Sequence, residues 1–260
     1  MNDVTLRSLV FSIACLVLGA APASAQGGFA NLLDHVHMGV PDQVKAVERY
    51  RSHFGGNPMT EGPDRLMLGA TRLVFAKANA AVPTQKSVLH SLGFSVTDLD
   101  AATTKLQADG VKMTMQPMTM EGIRMSQFID PWGTLIDVVQ DPKKLGLHHV
   151  YMQLPDPTAS LAWFANTFGS TVTRYGQVPG VPFGGIWLLA KRGTGEPSAG
   201  HSIDHLGFRL FKVDSAVVAL KAQNVRVTTE PRDVTLEGGG SARIAHIEGP
   251  NGVRIELMQR

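Results

Sequence analysis

His205 and Glu256 stand on two short strand-like segments of the chain, IDHLGFRL from Ile203 and VRIELM from Val253, and their types suit a divalent cation. A third histidine on an equivalent strand would complete two imidazoles and one carboxylate on one side of an ion. That facial arrangement leaves coordination positions open for substrate and suits Fe, Mn, Ni or Zn. Glu256 has the required parity, because Val253, Ile255 and Leu257 form an apolar strand face while Arg254, Glu256 and Met258 point the other way. His35 and His149 are the candidates for the third ligand, since each occupies the third position of a segment that resembles the one holding His205: LDHVHMGV from Leu33 and LHHVYMQL from Leu147.

The elements that must position these side chains form an internal repeat. A fourth near-copy, LHSLGFSV from Leu89, has Ser91 at the third position. The first and third openings share HV followed by Met38 or Met152, and the second and fourth share LGF. The closings pair likewise: DPWGTLID (Asp130 to Asp137) and GPNGVRIE (Gly249 to Glu256) end in a carboxylate, whereas TRLVFAKA and GGIWLLAKR carry none. Each opening alternates polar and apolar residues as a half-buried strand does, with His35, His149 and His205 on the polar side and His90 on the other. Helical stretches follow, Asp42 to Phe54 and Pro157 to Phe168, stopped by Gly55 and Gly169, then DLDAATTKLQADG and VDSAVVALKAQN. Strand-like runs fill the remainder of each unit.

The fold class expected is therefore α+β, with four βαβββ modules whose helices cover the apolar strand faces and whose polar faces curve into cups. Modules at 30–82 and 86–142 would make a first domain, 30–142. Modules at 145–193 and 201–260 would make a second, 145–260. Pairing of module one with four and two with three is the other possibility.

Arg7 precedes an apolar run from Leu9 to Ala21, and Ala-Ser-Ala at 23 to 25 offers small residues for cleavage, the pattern of a signal peptide over residues 1–25. A secreted or periplasmic protein is expected, cleaved after Ala25. The single cysteine, Cys15, lies inside that segment, so the mature chain has no thiol chemistry; Cys15 as a lipid-bearing residue is the alternative. No other segment is long enough to span a membrane, and at a net charge of +2 with no basic run nothing points to nucleic acid. Met113, Met115, Met118, Met120 and Met125 could hold Cu(I) through thioethers, or line an apolar pocket.

The pattern of openings and DPxG-type closings from about residue 30 to 260 resembles the vicinal oxygen chelate superfamily, which includes glyoxalases, extradiol dioxygenases and bleomycin resistance proteins. The resemblance implies two cupped-sheet, glyoxalase-like domains with metal ligands on opening and final strands. An extradiol-like metal set maps onto His149, His205 and Glu256, with His35 and Asp137 as the corresponding positions of the first half. Within that half Ser91 is a poor ligand, for which His37 could substitute from the same face; pairing of unit one with four would put His35 in place of His149. Extradiol enzymes have a tyrosine where this chain has His246 and an acid-base histidine where it has Ala190. The second glutamate of the glyoxalase pattern is absent from TRLVFAKA and GGIWLLAKR.

His246 and Tyr151 are the catalytic candidates, the former as a proton-transfer group or else a surface-strand residue. Arg254, Arg209 and Gln153 are candidates for orienting an anionic or enolate oxygen, and His201 lies in a linker. The expected function is that of an exported enzyme holding one divalent metal ion (Zn, Mn, Fe or Ni) and acting on a small oxygen-bearing substrate, as a lyase, isomerase or dioxygenase. The alternative is a metal-free protein that sequesters a small molecule, as bleomycin-resistance relatives do. The partner expected is a small molecule, with a homodimer possible.

Overall fold

The computed structural model describes residues 30–60, 62–236 and 239–260, so the signal segment and Cys15 lie outside the described residues. Unit one comprises β1 (Ala30–Val40), α1 (Gln43–Phe54), β2 (Asn57–Met59), β3 (Gly62–Leu68) and β4 (Thr71–Lys77). Unit two comprises β5 (Leu89–Val96), α2 (Leu99–Ala108), β6 (Met113–Met120), β7 (Ile123–Ile129) and β8 (Leu135–Gln140). Unit three follows with β9 (Gly146–Leu154), α3 (Pro157–Phe168), β10 (Thr173–Tyr175), β11 (Val178–Phe183) and β12 (Ile186–Arg192). Unit four has β13 (Ile203–Leu210), α4 (Val213–Ala222), β14 (Val227–Thr235), β15 (Ser241–Glu248) and β16 (Arg254–Gln259). The βαβββ order is thus present four times, and the α+β architecture of two curled sheets is the one the repeat implies.

Local chemistry sets the element ends. Asp42, Asp98 and Asp156 each accept a hydrogen bond from the backbone N–H three residues on, capping α1, α2 and α3, and Pro157 occupies the first turn of α3, where its missing N–H costs nothing. Gly55 and Gly169 end α1 and α3 at positive φ.

The sheets do not coincide with the sequence halves 30–142 and 145–260. One eight-stranded sheet has the order β14-β15-β16-β13-β1-β4-β3-β2 and so joins units one and four; the other, β10-β11-β12-β9-β5-β8-β7-β6, joins two and three. At the centre of each, two opening strands run antiparallel, β1 with β13 and β5 with β9.

Consecutive units are tied by helix packing instead. Phe54 of α1 stacks on Phe94 of β5 at 4.0 Å, and Phe168 of α3 stacks on Phe208 of β13 at 3.8 Å. These are the phenylalanines of the two LGF motifs, each receiving the last helical aromatic of the preceding unit. One continuous apolar core, with Val36, Leu92, Val150 and Leu206 fully buried in it, therefore serves both sheets. Two smaller apolar clusters lie apart from it, one around Met125, Tyr151 and Leu189 and one around Ile244 and Met258.

The methionines of β6 and β7 divide between these surroundings: Met113 packs on the shared core, Met115 and Met125 on the second cluster, and Met118 and Met120 are exposed. The thioethers thus do not share one environment, and apolar packing accounts for Met113, Met115 and Met125. Among the described residues no helix is long and apolar enough to cross a membrane.

Candidate metal centre

Pairing of β1 with β13 decides which histidines meet. In the sheet of units one and four, Nε2 of His35 lies 3.8 Å from Oε1 of Glu256, Nε2 of His205 lies 3.7 Å from Oε2, and Nε2 of His246 lies 3.3 Å from Oε2. His37 shares a hydrogen bond of 2.8 Å between its Nδ1 and Nε2 of His205. The ligand atoms of His205, His246 and Glu256, and likewise those of His35, His37 and His205, lie within 4.8 Å of one another. His35, His205, His246 and Glu256 are all buried.

The strand periodicity explains the convergence. Gly207 pairs with Glu256 on β16, His246 pairs with Glu256 from β15, and His35 faces Gly207 from β1. A Cβ at position 207 would overlap the His35 ring, so the glycine of the LGF motif makes the space that the imidazole occupies.

This donor set fits a divalent cation. Metal–ligand bonds of about 2.0–2.2 Å place ligand atoms roughly 3–3.5 Å apart; each imidazole nitrogen lies 3.3–3.8 Å from one or other oxygen of Glu256, and the ligand atoms within 4.8 Å of one another would draw together around an ion. Oε1 of Glu256 is buried without a hydrogen-bond partner, an arrangement that costs free energy unless a cation or ligand group satisfies it. Burial alone would raise the Glu256 carboxyl, but the adjoining His205 and His246 and the charge of His35 outweigh it and hold it well below the ordinary carboxylate range. For His205 burial pulls downward, and Asp204 and Glu256 together push the imidazole above its usual value. Burial and the neighbouring His205 and His35 hold His37 well below.

Two aspartates complete the centre. The β1–β13 ladder carries one extra residue at Asp34 and another at Asp204. Such bulges re-aim a side chain, and here each aspartate turns beside the histidine that follows it. Nδ1 of His35 lies 3.2 Å from Asp34 and Nδ1 of His205 lies 2.6 Å from Asp204. Arg72 and Arg209 each donate to Asp34 at 2.8 Å, and Arg254 and the Gly200 N–H donate to Asp204 at 2.8 and 2.7 Å. Strict alternation would have sent both aspartates to the opposite face, which is why sequence reasoning passed over them. The signal that could have found them is the Asp-His pair shared by LDHVHMGV and IDHLGFRL.

Of the candidates read from the sequence, the structure thus brings together His205, Glu256, His246 and His35, with Arg209 and Arg254 one step outside. It places His149 elsewhere, because β9 pairs with β5 rather than with β13. There Nε2 of His149 lies 3.0 Å from Asp137, which also accepts from Ser91 at 2.6 Å and Gln127 at 2.7 Å. Tyr151 is on the same strand as His149 and donates to Glu121 at 3.2 Å. Gln153 donates to the carbonyls of Gln85 and Ser87 and ties two segments together rather than facing the cluster. His201 lies 3.5 Å from Glu196 and is outside the centre as well.

Comparison with known proteins gives a consistent picture. The sequence profile of the Glyoxalase/Bleomycin resistance protein/Dioxygenase superfamily matches residues 32–138 and 146–257. A protein named "Putative lactoylglutathione lyase" from Brassica oleracea var. gemmifera is 28% identical over 139 residues, and the match covers 48% of each chain. The present chain thus spans about half the length of that relative. Among solved structures, glyoxalase I from Zea mays superposes with a TM-score of 0.70 at 16% identity, covering 88% of this chain and 92% of the other. A structure described as a putative dioxygenase from Bacillus subtilis gives 0.65 at 15% identity, over 90% and 86%. At these identities the structural likeness shows the fold.

Proposed function

The chain belongs to the Glyoxalase/Bleomycin resistance protein/Dioxygenase superfamily, and from that premise we propose that it is a metal-dependent enzyme acting on a small molecule with adjacent oxygens. The observation that carries the proposal is the buried, unpartnered Oε1 of Glu256 within a ring of imidazole nitrogens. His35, His205 and Glu256 would hold the ion, His35 taking the place for which His149 was the sequence candidate.

A divalent cation in such a site supplies Lewis acidity to the substrate oxygens and stabilises developing negative charge. The chain's own residues do the remainder. His246 approaches the same carboxylate from β15, and we assign its Nε2 the task of moving a proton at the reacting carbon or oxygen, since an imidazole nitrogen can either accept or donate one. To Arg209 and Arg254, both partly exposed and ion-paired with Asp34 and Asp204, we assign the task of orienting an anionic group of the substrate. Ile244 and Met258, paired two residues along β15 and β16 from His246 and Glu256, cluster with Ala242 as apolar neighbours of the site.

The register supports a choice among the reactions we propose. Val74 pairs with His37 on β4 as Glu256 pairs with Gly207 on β16, so Val74 occupies the position symmetric with the carboxylate ligand. A glyoxalase-type second glutamate is therefore replaced by valine, and a set of two histidines and one carboxylate, with His246 beside it, favours dioxygenase or isomerase chemistry on a vicinal dioxygen substrate. Export is part of the proposal, supported by the apolar run and Ala-Ser-Ala ahead of Gln26.

The test is elemental analysis of residues 26–260 purified without chelator, followed by turnover on catechols, hydroxyketones and a thiol hemithioacetal. About one divalent ion per chain, absent from Glu256→Ala together with all turnover, is the expected result. Wild-type protein that stays metal-free after reconstitution with Zn, Mn, Fe(II) and Ni would sink the proposal in favour of a sequestering protein.

A further inference from the structure

We propose that Asp34 and Asp204 are positioning residues that lock His35 and His205 into the Nδ1–H tautomer and so present both Nε2 lone pairs to one point beside Glu256. The inference rests on the metal-site reading above and adds two residues that act through the ligands rather than on the ion.

A neutral imidazole has one N–H and one lone pair, and an ionised carboxylate can only accept. A carboxylate beside Nδ1 therefore selects the form with hydrogen on Nδ1 and leaves Nε2 able to bind a cation. Both aspartates face guanidinium groups, Arg72 and Arg209 at Asp34 and Arg254 at Asp204, which favour the ionised, acceptor-only carboxylate. Arg72 and Arg209 fix Asp34, and Arg254 and the Gly200 N–H fix Asp204, so neither acceptor can rotate away.

The other sheet supplies the internal control. Its β5–β9 ladder bulges at the corresponding places, at His90 and His148. Trp187 and Ser95 occupy the positions symmetric with Arg72 and Arg209, and Leu135 the position symmetric with Arg254. Nδ1 of His148 lies 2.9 Å from Nδ1 of His149, and the other nitrogen of His149 is taken up by Asp137. The bulge is common to both sheets; the carboxylate beside Nδ1 and its arginine anchor occur together in one. A purely structural role for Asp34 and Asp204 would not require that association.

Long-range 1H–15N NMR of metal-free protein, at a pH where both rings are neutral, reads the tautomer directly, and a zinc titration by calorimetry reads its consequence. The expected result is Nδ1–H for His35 and His205 in the wild type, mixed tautomers in Asp34→Asn and Asp204→Asn, and zinc affinity lowered about 10- to 100-fold in each. His148→Asn, at a bulge of the other sheet, should leave zinc affinity within about twofold of wild type on the same reasoning. Should Asp34→Asn fail to fold, Asp204→Asn carries the test, with its amide spectrum as the check of folding. Nε2–H rings in the wild type, or unchanged affinity in a folded Asp204→Asn variant, would overturn the inference. Nδ1–H rings in a wild type that binds no zinc would uphold the tautomer assignment and overturn the metal reading instead.

Discussion

The two sheets place five side chains at matching positions on their concave faces and do opposite things with them. His35, His37, His205, His246 and Glu256 in one correspond to His149, Tyr151, Ser91, Gln127 and Asp137 in the other. Asp137 is one methylene shorter than glutamate and is filled by Ser91, Gln127 and His149 at 2.6, 2.7 and 3.0 Å. Those three partners outweigh the effect of burial and keep its carboxyl below the ordinary range. Glu256 has imidazoles at longer range and one oxygen with no partner. The second cup is also latched at its mouth, where the Gln177 N–H donates to the Glu121 carbonyl at 2.8 Å and Tyr151 reaches the Glu121 carboxylate. A scaffold that can build a metal cage can thus turn the same positions into a self-satisfied hydrogen-bond network, because a hydroxyl and an amide supply the protons that a cation would replace.

The largest predicted contrast comes from deleting ligands. His35→Ala should weaken zinc binding by at least about 100-fold, since it removes one of three first contacts with the ion, whereas His149→Ala should leave zinc affinity unchanged; paired calorimetric titrations check both. The same His149→Ala change should lower stability by about 1–3 kcal/mol in chemical denaturation, because it strips a partner from a buried carboxylate. Equal losses of zinc affinity in the two variants would erase the distinction between the cups.

Glycine substitutions give a smaller, symmetric pair. A Cβ on Gly207 overlaps His35, and one on Gly93 overlaps His149. Each alanine variant should cost about 1–3 kcal/mol by overpacking, visible as a lowered Tm, but only Gly207→Ala should also disturb metal binding.

The gentlest effect is acid sensitivity of the second sheet. Burial first, then the charges of His149 and Lys144, bring His148 down to about 2. Its folded pKa lies below the unfolded value, so the unfolded chain binds the extra proton and stability falls as pH drops below about 6.5, by up to about 1.4 kcal/mol per unit. Denaturation between pH 7 and 5 should be less steeply pH-dependent in His148→Phe than in wild type; identical slopes would contradict the assignment.

Much of this was legible in the sequence because its signals are local. Alternation along each opening, the helical stretches after it and the Gly stops gave the four βαβββ units, and parity placed His205 and Glu256 on one face. Strand pairing is not local. β1 and β9 open with the same HV and Met pattern, so either could lie beside β13; in the structure β1 does, and Phe54 and Phe168 dock on Phe94 and Phe208 of the units that follow them. That choice exchanges His149 for His35. Asp34 and Asp204 escaped notice for another reason: a one-residue bulge reverses the side to which parity assigns them.

The most direct test of the difference between the cups is anomalous diffraction at the zinc edge from crystals of residues 26–260 grown with zinc. The account predicts a peak bounded by His35, His205 and Glu256 and no peak beside His149 and Asp137. A peak in the second cup, or zinc confined to surface carboxylates, would contradict it.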